Sequence, residues 1–180
     1  MNIFQEGNPQ DIAQVLAAKD YRVALQQKIF QKYPDTTLVD INLNIPGPIK
    51  NNQYLIELFN YGIKQLEKEW QDKNYNYRLV KALNIDAGYE NFYILQESSK
   101  KVKLSTISFE ENSWVGRLFD ADVLVKGRPA ISRKELNYAS RRCYLCGRPA
   151  KECARSRRHS VQEMQEYISL MQVKAEQIKE

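Results

Sequence analysis

The chain lacks the features that mark membrane and secreted proteins. Nowhere in its 180 residues does an apolar run approach the roughly 20 residues that a membrane-spanning helix needs. The N-terminus has no basic segment followed by an apolar stretch, so the sequence predicts no signal peptide. It also contains no internal repeat and no low-complexity linker. These absences predict a cytoplasmic protein that has no membrane as a partner.

Cysteine and histidine are scarce, with three cysteines and one histidine in the chain. An odd number of cysteines confined to 11 residues argues against a disulfide framework and fits a reducing compartment. The four residues form the pattern Cys143-x2-Cys146-x6-Cys153-x5-His159. This is a ligand set for structural Zn²⁺, which would organise a segment with little apolar content. Two alternatives stay open: a buried free thiol at Cys146 or Cys153, and His159 as a general base or phosphate contact.

Hydrophobic residues make up 43% of the chain, which indicates a globular fold and not a disordered chain. Apolar spacing predicts an α+β fold, a mixed β-sheet with packed helices. A basic cysteine-rich region at about 132–159 follows, and a capping box at Ser160 begins a C-terminal helix. We interpret residues 1–180 as a single domain.

Apolar periodicity places the individual elements. A first helical region is expected after Asn8-Pro9, in two pieces that end at Pro34. A second helix is expected after Asn51 or Asn52, with an apolar stripe that ends at Trp70. Strands are expected at 36–45, 77–85, 92–96 and 102–109. A turn at 110–113 is followed by a last strand that ends at Val125 and by a hairpin at 126–129.

Positive charge is concentrated in one part of the chain. Between Gly116 and Arg158, twelve Lys or Arg oppose four Asp or Glu, so this segment carries +8 while the whole chain carries +5. Nine of the twelve are Arg, the residue suited to two-pronged phosphate binding. A polyanionic partner is predicted: a triphosphate, a CoA-like nucleotide, an acidic protein or a nucleic acid. A solvated basic surface is the alternative.

The stretch Gly-Arg-Leu-Phe-Asp-Ala-Asp-Val at 116–123 carries two acids one residue apart. Residues i and i+2 of a β-strand point to the same side, so Asp120 and Asp122 would project together while apolar neighbours anchor the strand. Two such carboxylates can hold Mg²⁺, which shares its coordination shell with substrate phosphates. This is the minimal arrangement for nucleotidyl transfer. Two solvated acids at a strand end are the alternative.

Four motifs in order resemble one family. They are Pro46-Gly47-Pro48-Ile49-Lys50, the D-x-D stretch at 116–123, Ser132-Arg133, and the run from Arg141-Arg142-Cys143 through Cys153-Ala154-Arg155 to His159. Together they resemble the citrate lyase holo-[acyl-carrier-protein] synthase family, also called apo-citrate lyase phosphoribosyl-dephospho-CoA transferase, over about Asp11 to Tyr167.

The resemblance implies a reaction. A nucleotidyltransferase of this family takes 2′-(5″-triphosphoribosyl)-3′-dephospho-CoA and transfers its phosphoribosyl-dephospho-CoA part to a serine of the citrate lyase acyl carrier protein, the gamma subunit. Diphosphate leaves, and the attached group becomes the carrier's prosthetic group.

The resemblance and the residue chemistry together suggest roles. The fold is expected to be nucleotidyltransferase-like. Asp120 and Asp122 would bind Mg²⁺, and Arg117 would assist catalysis at the triphosphate. One of the two carboxylates, or a metal-bound hydroxide, would help to deprotonate the serine. Substrate binding is expected at Gly47, Lys50, Gly116, Arg133, Arg141, Arg142, Arg155, Arg157 and Arg158, of which Arg141, Arg142, Arg155, Arg157 and Arg158 either bind CoA-derived phosphates or dock the carrier protein.

Two competing functions stay open. A basic segment with a Cys₃His zinc site could bind nucleic acid, but only Tyr138 and Tyr144 lie near the basic residues, which disfavours a base-stacking surface. The other is a nucleotidyltransferase that acts on a different acyl carrier, such as that of malonate decarboxylase.

Overall fold

The fold is that of a computed structural model, which describes residues 2–179, with the side chain of residue 179 left out. Its strands are interspersed with helices in the first two thirds of the chain, with β2 and β3 consecutive, and only helices follow. In chain order the elements are α1 (Ile12–Lys32), β1 (Thr37–Leu43), α2 (Gln53–Asp72), β2 (Tyr77–Ile85), β3 (Gly88–Leu95), α3 (Ser99–Asn112), β4 (Phe119–Leu124), α4 (Ala150–Ser156) and α5 (Val161–Lys179).

The four strands form one sheet in the order β2-β3-β1-β4. The α+β class is confirmed. The sheet, however, is antiparallel at all of its pairings, β2 with β3, β3 with β1 and β1 with β4, and is not the mixed sheet that we expected. For β2 and β3 the reason is local, because they are joined by a two-residue turn, which can connect only antiparallel strands.

Helices cover both faces of the sheet. The larger core lies between the sheet and the helices α2, α3 and α5, and it includes Phe59, Trp70 and Phe119. On the other face, α1 packs Ile29 and Phe30 against the sheet in a smaller cluster. Each fully buried large apolar side chain of this kind stabilises the fold by about 1.5–3 kcal/mol.

The helix α2 follows its sequence pattern closely. Asn52 caps it, because its side-chain oxygen accepts a hydrogen bond from the Leu55 N–H at 2.9 Å. The predicted stripe is confirmed, since all six of its residues (Leu55, Leu58, Phe59, Gly62, Leu66 and Trp70) are buried. The indole N–H of Trp70 donates to Ser105 Oγ at 3.0 Å, which ties α2 to α3.

Two predicted elements are wrong. The expected strand at 102–109 and the turn after it form the single helix α3, which buries Val102, Ser105, Thr106 and Phe109 at helical spacing. Half of this stripe is Ser and Thr, so the apolar pattern does not show the helix. The two helical pieces expected before Pro34 are likewise one helix, α1, which Asp11 caps.

The C-terminal region agrees with its predicted capping box. Ser160 Oγ accepts from the Glu163 N–H at 3.1 Å, and the Glu163 carboxylate accepts from the Ser160 N–H at 2.7 Å. Between residues 2 and 179, no helix combines the length and the apolar character that crossing a bilayer would require.

Candidate active site

The two aspartates of the D-x-D motif project from the same face of β4. Every second residue from Phe119 is buried, and Asp120 and Asp122 between them are exposed. The Phe119 ring lies against the backbone of Gly62 in α2, where a Cβ would stand 2.3 Å from the ring. The expectation that the two carboxylates share one side of a strand is confirmed, and the apolar side anchors that strand to the core.

β4 is an edge strand, and other parts of the chain bond to its outer backbone groups. The Ala121 carbonyl accepts from Lys103 Nζ at 3.1 Å, and the Ala121 N–H donates to Glu110 Oε1 at 3.2 Å. The Ile131 N–H donates to the Val123 carbonyl at 2.9 Å. Burial lowers the pKa of Lys103, and the Glu110 carboxylate opposes that change. The backbone beneath the two aspartates is thus held from both edges.

β1 adds polar side chains to the same face. Asp40 pairs opposite Asp122, and Asn42 pairs opposite Asp120. Asp40 is only 2% exposed, and its carboxyl accepts a hydrogen bond from Gln26 Nε2 at 2.6 Å. An exposed carboxylate pair therefore stands next to a buried carboxyl group.

The buried carboxyl of Asp40 sits in a small charged network under α1. Arg22 pairs closely with Glu90, and its Nε lies 3.8 Å from Asp40 Oδ2. Burial raises the pKa of Asp40 to about 9, the neighbouring Glu90 adds to the rise, and Arg22 opposes it. Burial and the neighbouring Glu90 therefore favour the protonated form of Asp40.

The environment of the exposed pair favours a bound cation. Partial burial raises the pKa of Asp122, and the Asp120 carboxylate raises it further, while Lys103 and Arg22 act in the opposite direction. Two neighbouring carboxylates are also the kind of oxygen ligands that Mg²⁺ takes.

A cavity of about 510 Å³ lies between the end of β1 and the start of α5, and neither Asp120 nor Asp122 is among its lining residues. Four arginines line it: Arg117, Arg141, Arg142 and Arg157. Arg141 links the cavity to β4, since its Nη1 lies 3.6 Å from Asp120 Oδ1 and its other Nη donates to the Phe119 carbonyl. The cavity is suited to a phosphate chain, because guanidinium groups bind phosphate oxygens in pairs.

The three cysteines and the histidine come together beside this cavity, and Cys143, Cys153 and His159 line it. One ligand atom from each of Cys143, Cys146, Cys153 and His159 lies within 4.8 Å of the other three. The Arg148 backbone N–H lowers the pKa of Cys146 to about 6, and the His159 side chain contributes to this shift. The group could hold a metal ion, because thiolates and imidazole are the ligands of tetrahedral sites.

Comparison with known proteins decides the family. A sequence model described as apo-citrate lyase phosphoribosyl-dephospho-CoA transferase matches residues 10–175. This chain belongs to that family. The match spans the D-x-D strand, the arginine cavity and the cysteine–histidine cluster. The family is one of transferases, so the chain is an enzyme of that class.

Individual relatives agree with the family match. A protein of Streptococcus pyogenes serotype M18, named as a probable apo-citrate lyase phosphoribosyl-dephospho-CoA transferase, is 39% identical over 92% of this chain and 87% of its own length. The apo-citrate lyase phosphoribosyl-dephospho-CoA transferase of Citrobacter koseri is 32% identical over 85% of this chain and 83% of its own.

In this family member, the predicted substrate-binding arginines fall into three groups. Arg141, Arg142 and Arg157 line the arginine cavity together with Arg117. Arg133 instead pairs with Glu110 and Glu111, which leaves its side chain 13% exposed. The third group, Arg155 and Arg158, is exposed outside the cavity lining.

The remaining predicted contacts lie in packed surroundings. Lys50 donates to the Ile45 carbonyl at 2.6 Å, and burial together with Lys19 lowers its pKa. A Cβ on Gly47 would stand 2.6 Å from Gln165 Nε2, and one on Gly116 would stand 2.0 Å from the Phe109 carbonyl oxygen. Packing accounts for both glycines, and the substrate-binding roles of these three residues stay predictions.

Sequence reasoning missed the polar face of β1. Asp40, Asn42 and Asn44 alternate with the apolar residues at 39, 41, 43 and 45, so the signal was present as the complement of the apolar pattern. Asn44 lines the arginine cavity, and Asn42 stands opposite Asp120. Their proximity to the D-x-D motif depends on the pairing of β1 with β4, which the sequence does not specify.

Proposed function

We propose that this transferase attaches phosphoribosyl-dephospho-CoA to a serine of the citrate lyase acyl carrier protein. The donor is 2′-(5″-triphosphoribosyl)-3′-dephospho-CoA, and diphosphate leaves. One observation carries the proposal: Arg141, which lines the four-arginine cavity, lies 3.6 Å from Asp120 of the carboxylate pair. Family membership is its second support.

The proposed step is a substitution at phosphorus. The serine oxygen of the carrier bonds to the α-phosphorus of the donor, and the bond between that phosphorus and the oxygen bridging to the β-phosphorus breaks. Diphosphate departs with the bond electrons, and a phosphodiester links carrier and prosthetic group. The serine proton passes to one of the two carboxylates, for which Asp122 is suited because its pKa is raised.

Asp120 and Asp122 would hold Mg²⁺, whose chemistry is the neutralisation of charge on the α-phosphate and the leaving diphosphate. The residues present fit this ion. Both carboxylates are exposed on one face of β4. A bound cation would offset the burial and the Asp120 charge that raise the pKa of Asp122.

The arginines would bind the phosphate chain. Arg117 is exposed on the cavity wall with Arg142 and Arg157 around it. These guanidinium groups would orient the donor and stabilise the negative charge that builds up on diphosphate. Each such charged hydrogen bond contributes about 1.5–3 kcal/mol. For the cysteine–histidine cluster we propose Zn²⁺, in a structural and not a catalytic role.

Release of diphosphate tests the reaction. With the donor, Mg²⁺ and the apo carrier present, this protein should release diphosphate until the carrier is consumed. A carrier whose acceptor serine is replaced by alanine should release none. Equal release with and without the acceptor serine would show hydrolysis of the donor instead of transfer. Release with the apo carrier of malonate decarboxylase, but not with that of citrate lyase, would reassign the acceptor.

A further inference from the structure

The region 132–159 folds almost without a hydrophobic core. Its only buried side chains are Cys143 and Cys153. The backbone is nevertheless well organised: the Cys143 N–H donates to the Arg148 carbonyl at 2.7 Å, and the Ala150 N–H donates to the Arg141 carbonyl at 2.8 Å. Tyr144, which stacks on Tyr167 of α5, gives this segment one aromatic contact with the core. The antiparallel bridge between Arg142 and Pro149 and the seven-residue helix α4 therefore need a further source of stability.

The four ligand atoms have the spacing of a tetrahedral metal site. They lie within 4.8 Å of one another, while bonds of about 2.3 Å to sulfur and about 2.0 Å to nitrogen place tetrahedral ligands roughly 3.5–3.8 Å apart. The Sγ atoms of Cys146 and Cys153 are 3.4 Å apart. That distance is far longer than the roughly 2.05 Å of a disulfide bond.

His159 provides an independent indication. Its Nε2 is buried and has no hydrogen-bond partner among residues 2–179. An unpartnered buried ring nitrogen costs about 1–3 kcal/mol in ordinary protein surroundings, unless it is a ligand of an ion. His159 also directly precedes Ser160, the cap of α5, so an ion bound by His159 would connect the cysteine segment to the start of that helix.

We propose that Zn²⁺ bound by Cys143, Cys146, Cys153 and His159 fixes the wall of the arginine cavity. Cys143, Cys153 and His159 themselves line the cavity. Arg142 directly precedes one ligand, and Arg157 lies two residues before another, in a left-handed conformation with φ of 46°. The ion would therefore hold two of the phosphate-binding arginines in place. This second part rests on the proposed function, whereas the metal site does not.

Metal content and ligand variants test the site itself. The full chain purified without chelator should contain about one Zn²⁺, and Co²⁺ exchanged into it should show the visible absorption of a tetrahedral thiolate site. His159→Ala should lose most of the metal, His159→Cys should keep it with four thiolates, and Ser156→Ala is the matched control in the same region. A chain that contains no zinc and takes up no Co²⁺, or a His159→Ala variant that retains a full equivalent, would overturn the proposal.

The cavity wall is tested separately with the Mg²⁺ complex of inorganic triphosphate. In calorimetry, the dissociation constant of this complex should be at least about tenfold larger for His159→Ala than for His159→Cys. Equal affinities, with the metal contents confirmed, would overturn the role of zinc in the cavity. Because neither experiment uses the donor or the carrier, a zinc-loaded protein that fails to release diphosphate would refute only the proposed function.

Discussion

Asp40 and Asp122 lie directly opposite each other in the antiparallel pairing of β1 and β4, in opposite surroundings. Asp40 is 2% exposed and lies under α1, whereas Asp122 is exposed beside Asp120. Neighbouring strands thus supply one carboxyl whose protonated form is favoured by burial, and an exposed pair that is open to a cation and to substrate. The difference separates a structural acid from the proposed catalytic ones.

Replacing Asp122 with Asn should abolish most transfer and leave the fold intact. The exposed side chain contributes little to packing, but the amide cannot supply the negative charge that a cation needs. We expect a loss of at least about a hundredfold to a thousandfold in kcat, as for other charge-stabilising groups. The measurement is carrier modification at saturating Mg²⁺, with Asp72→Asn, an exposed acid at the end of α2, as the control. An active Asp122→Asn enzyme would remove the carboxylate pair from the mechanism.

The free energy of unfolding should fall as pH rises from about 4 to about 9. Burial and Glu90 raise the pKa of Asp40 to about 9 from its ordinary 3.8. In this range Asp40 holds a proton in the folded state that it has lost in the unfolded state. Its contribution to stability is therefore complete below pH 3.8, the ordinary pKa, and is lost as the pH rises through about 9, the pKa in the folded state.

Asp40→Asn should reduce this pH dependence, because the amide cannot ionise. Urea unfolding near pH 5 and near pH 8.5 would show a smaller difference for the variant than for the wild type. Asp35→Asn, at an exposed position, should leave the difference unchanged. A variant with the full wild-type pH dependence would assign the effect to another group.

Two sets of arginines should affect two different Michaelis constants. Arg117 lines the cavity, while Arg155 and Arg158 are exposed outside it. Arg117→Ala should raise the KM for the donor by about tenfold to a hundredfold, from the loss of one charged hydrogen bond. Charge reversal at Arg155 and Arg158 should raise the KM for the carrier instead, if an acidic carrier docks there. Steady-state kinetics with each substrate varied in turn would show this, and a reversed pattern would exchange the roles.

Glu110 and Glu111 form a matched pair of stability variants. Both contact Arg133, but Glu110 is 5% exposed and also binds Arg141 and the Ala121 N–H, while Glu111 is 49% exposed. Glu110→Ala should lower the free energy of unfolding by about 1–3 kcal/mol, since it leaves the buried Ala121 N–H without its acceptor and leaves Arg133 and Arg141 with only Glu111 and Asp120. Glu111→Ala should cost about 0–1 kcal/mol. Urea denaturation measures both, and equal losses would contradict a structural role for Glu110.

Much of the site could be predicted because its parts are local in the sequence. The D-x-D motif needs only the two-residue period of a strand, and the four ligands of the cysteine–histidine cluster lie within 17 residues. The α2 stripe is similarly visible, because its six positions are apolar or Gly.

The missed parts depend on tertiary contacts or on polar residues in the core. The helix α3 buries Ser105 and Thr106 where apolar residues were expected, so its period is hidden. The placement of Asp40 beside Asp122 follows from strand register, and the pairing of Arg133 with Glu110 joins residues 23 positions apart. No local pattern encodes either contact.

The most direct test of the central claim is the intact mass of the apo citrate lyase acyl carrier protein after incubation with this protein, Mg²⁺ and the donor. Our account predicts a gain equal to one phosphoribosyl-dephospho-CoA group on the acceptor serine, and no gain when EDTA is present or when Asp122 is Asn. An unmodified carrier, with folded protein and intact donor in the same reaction, would contradict it.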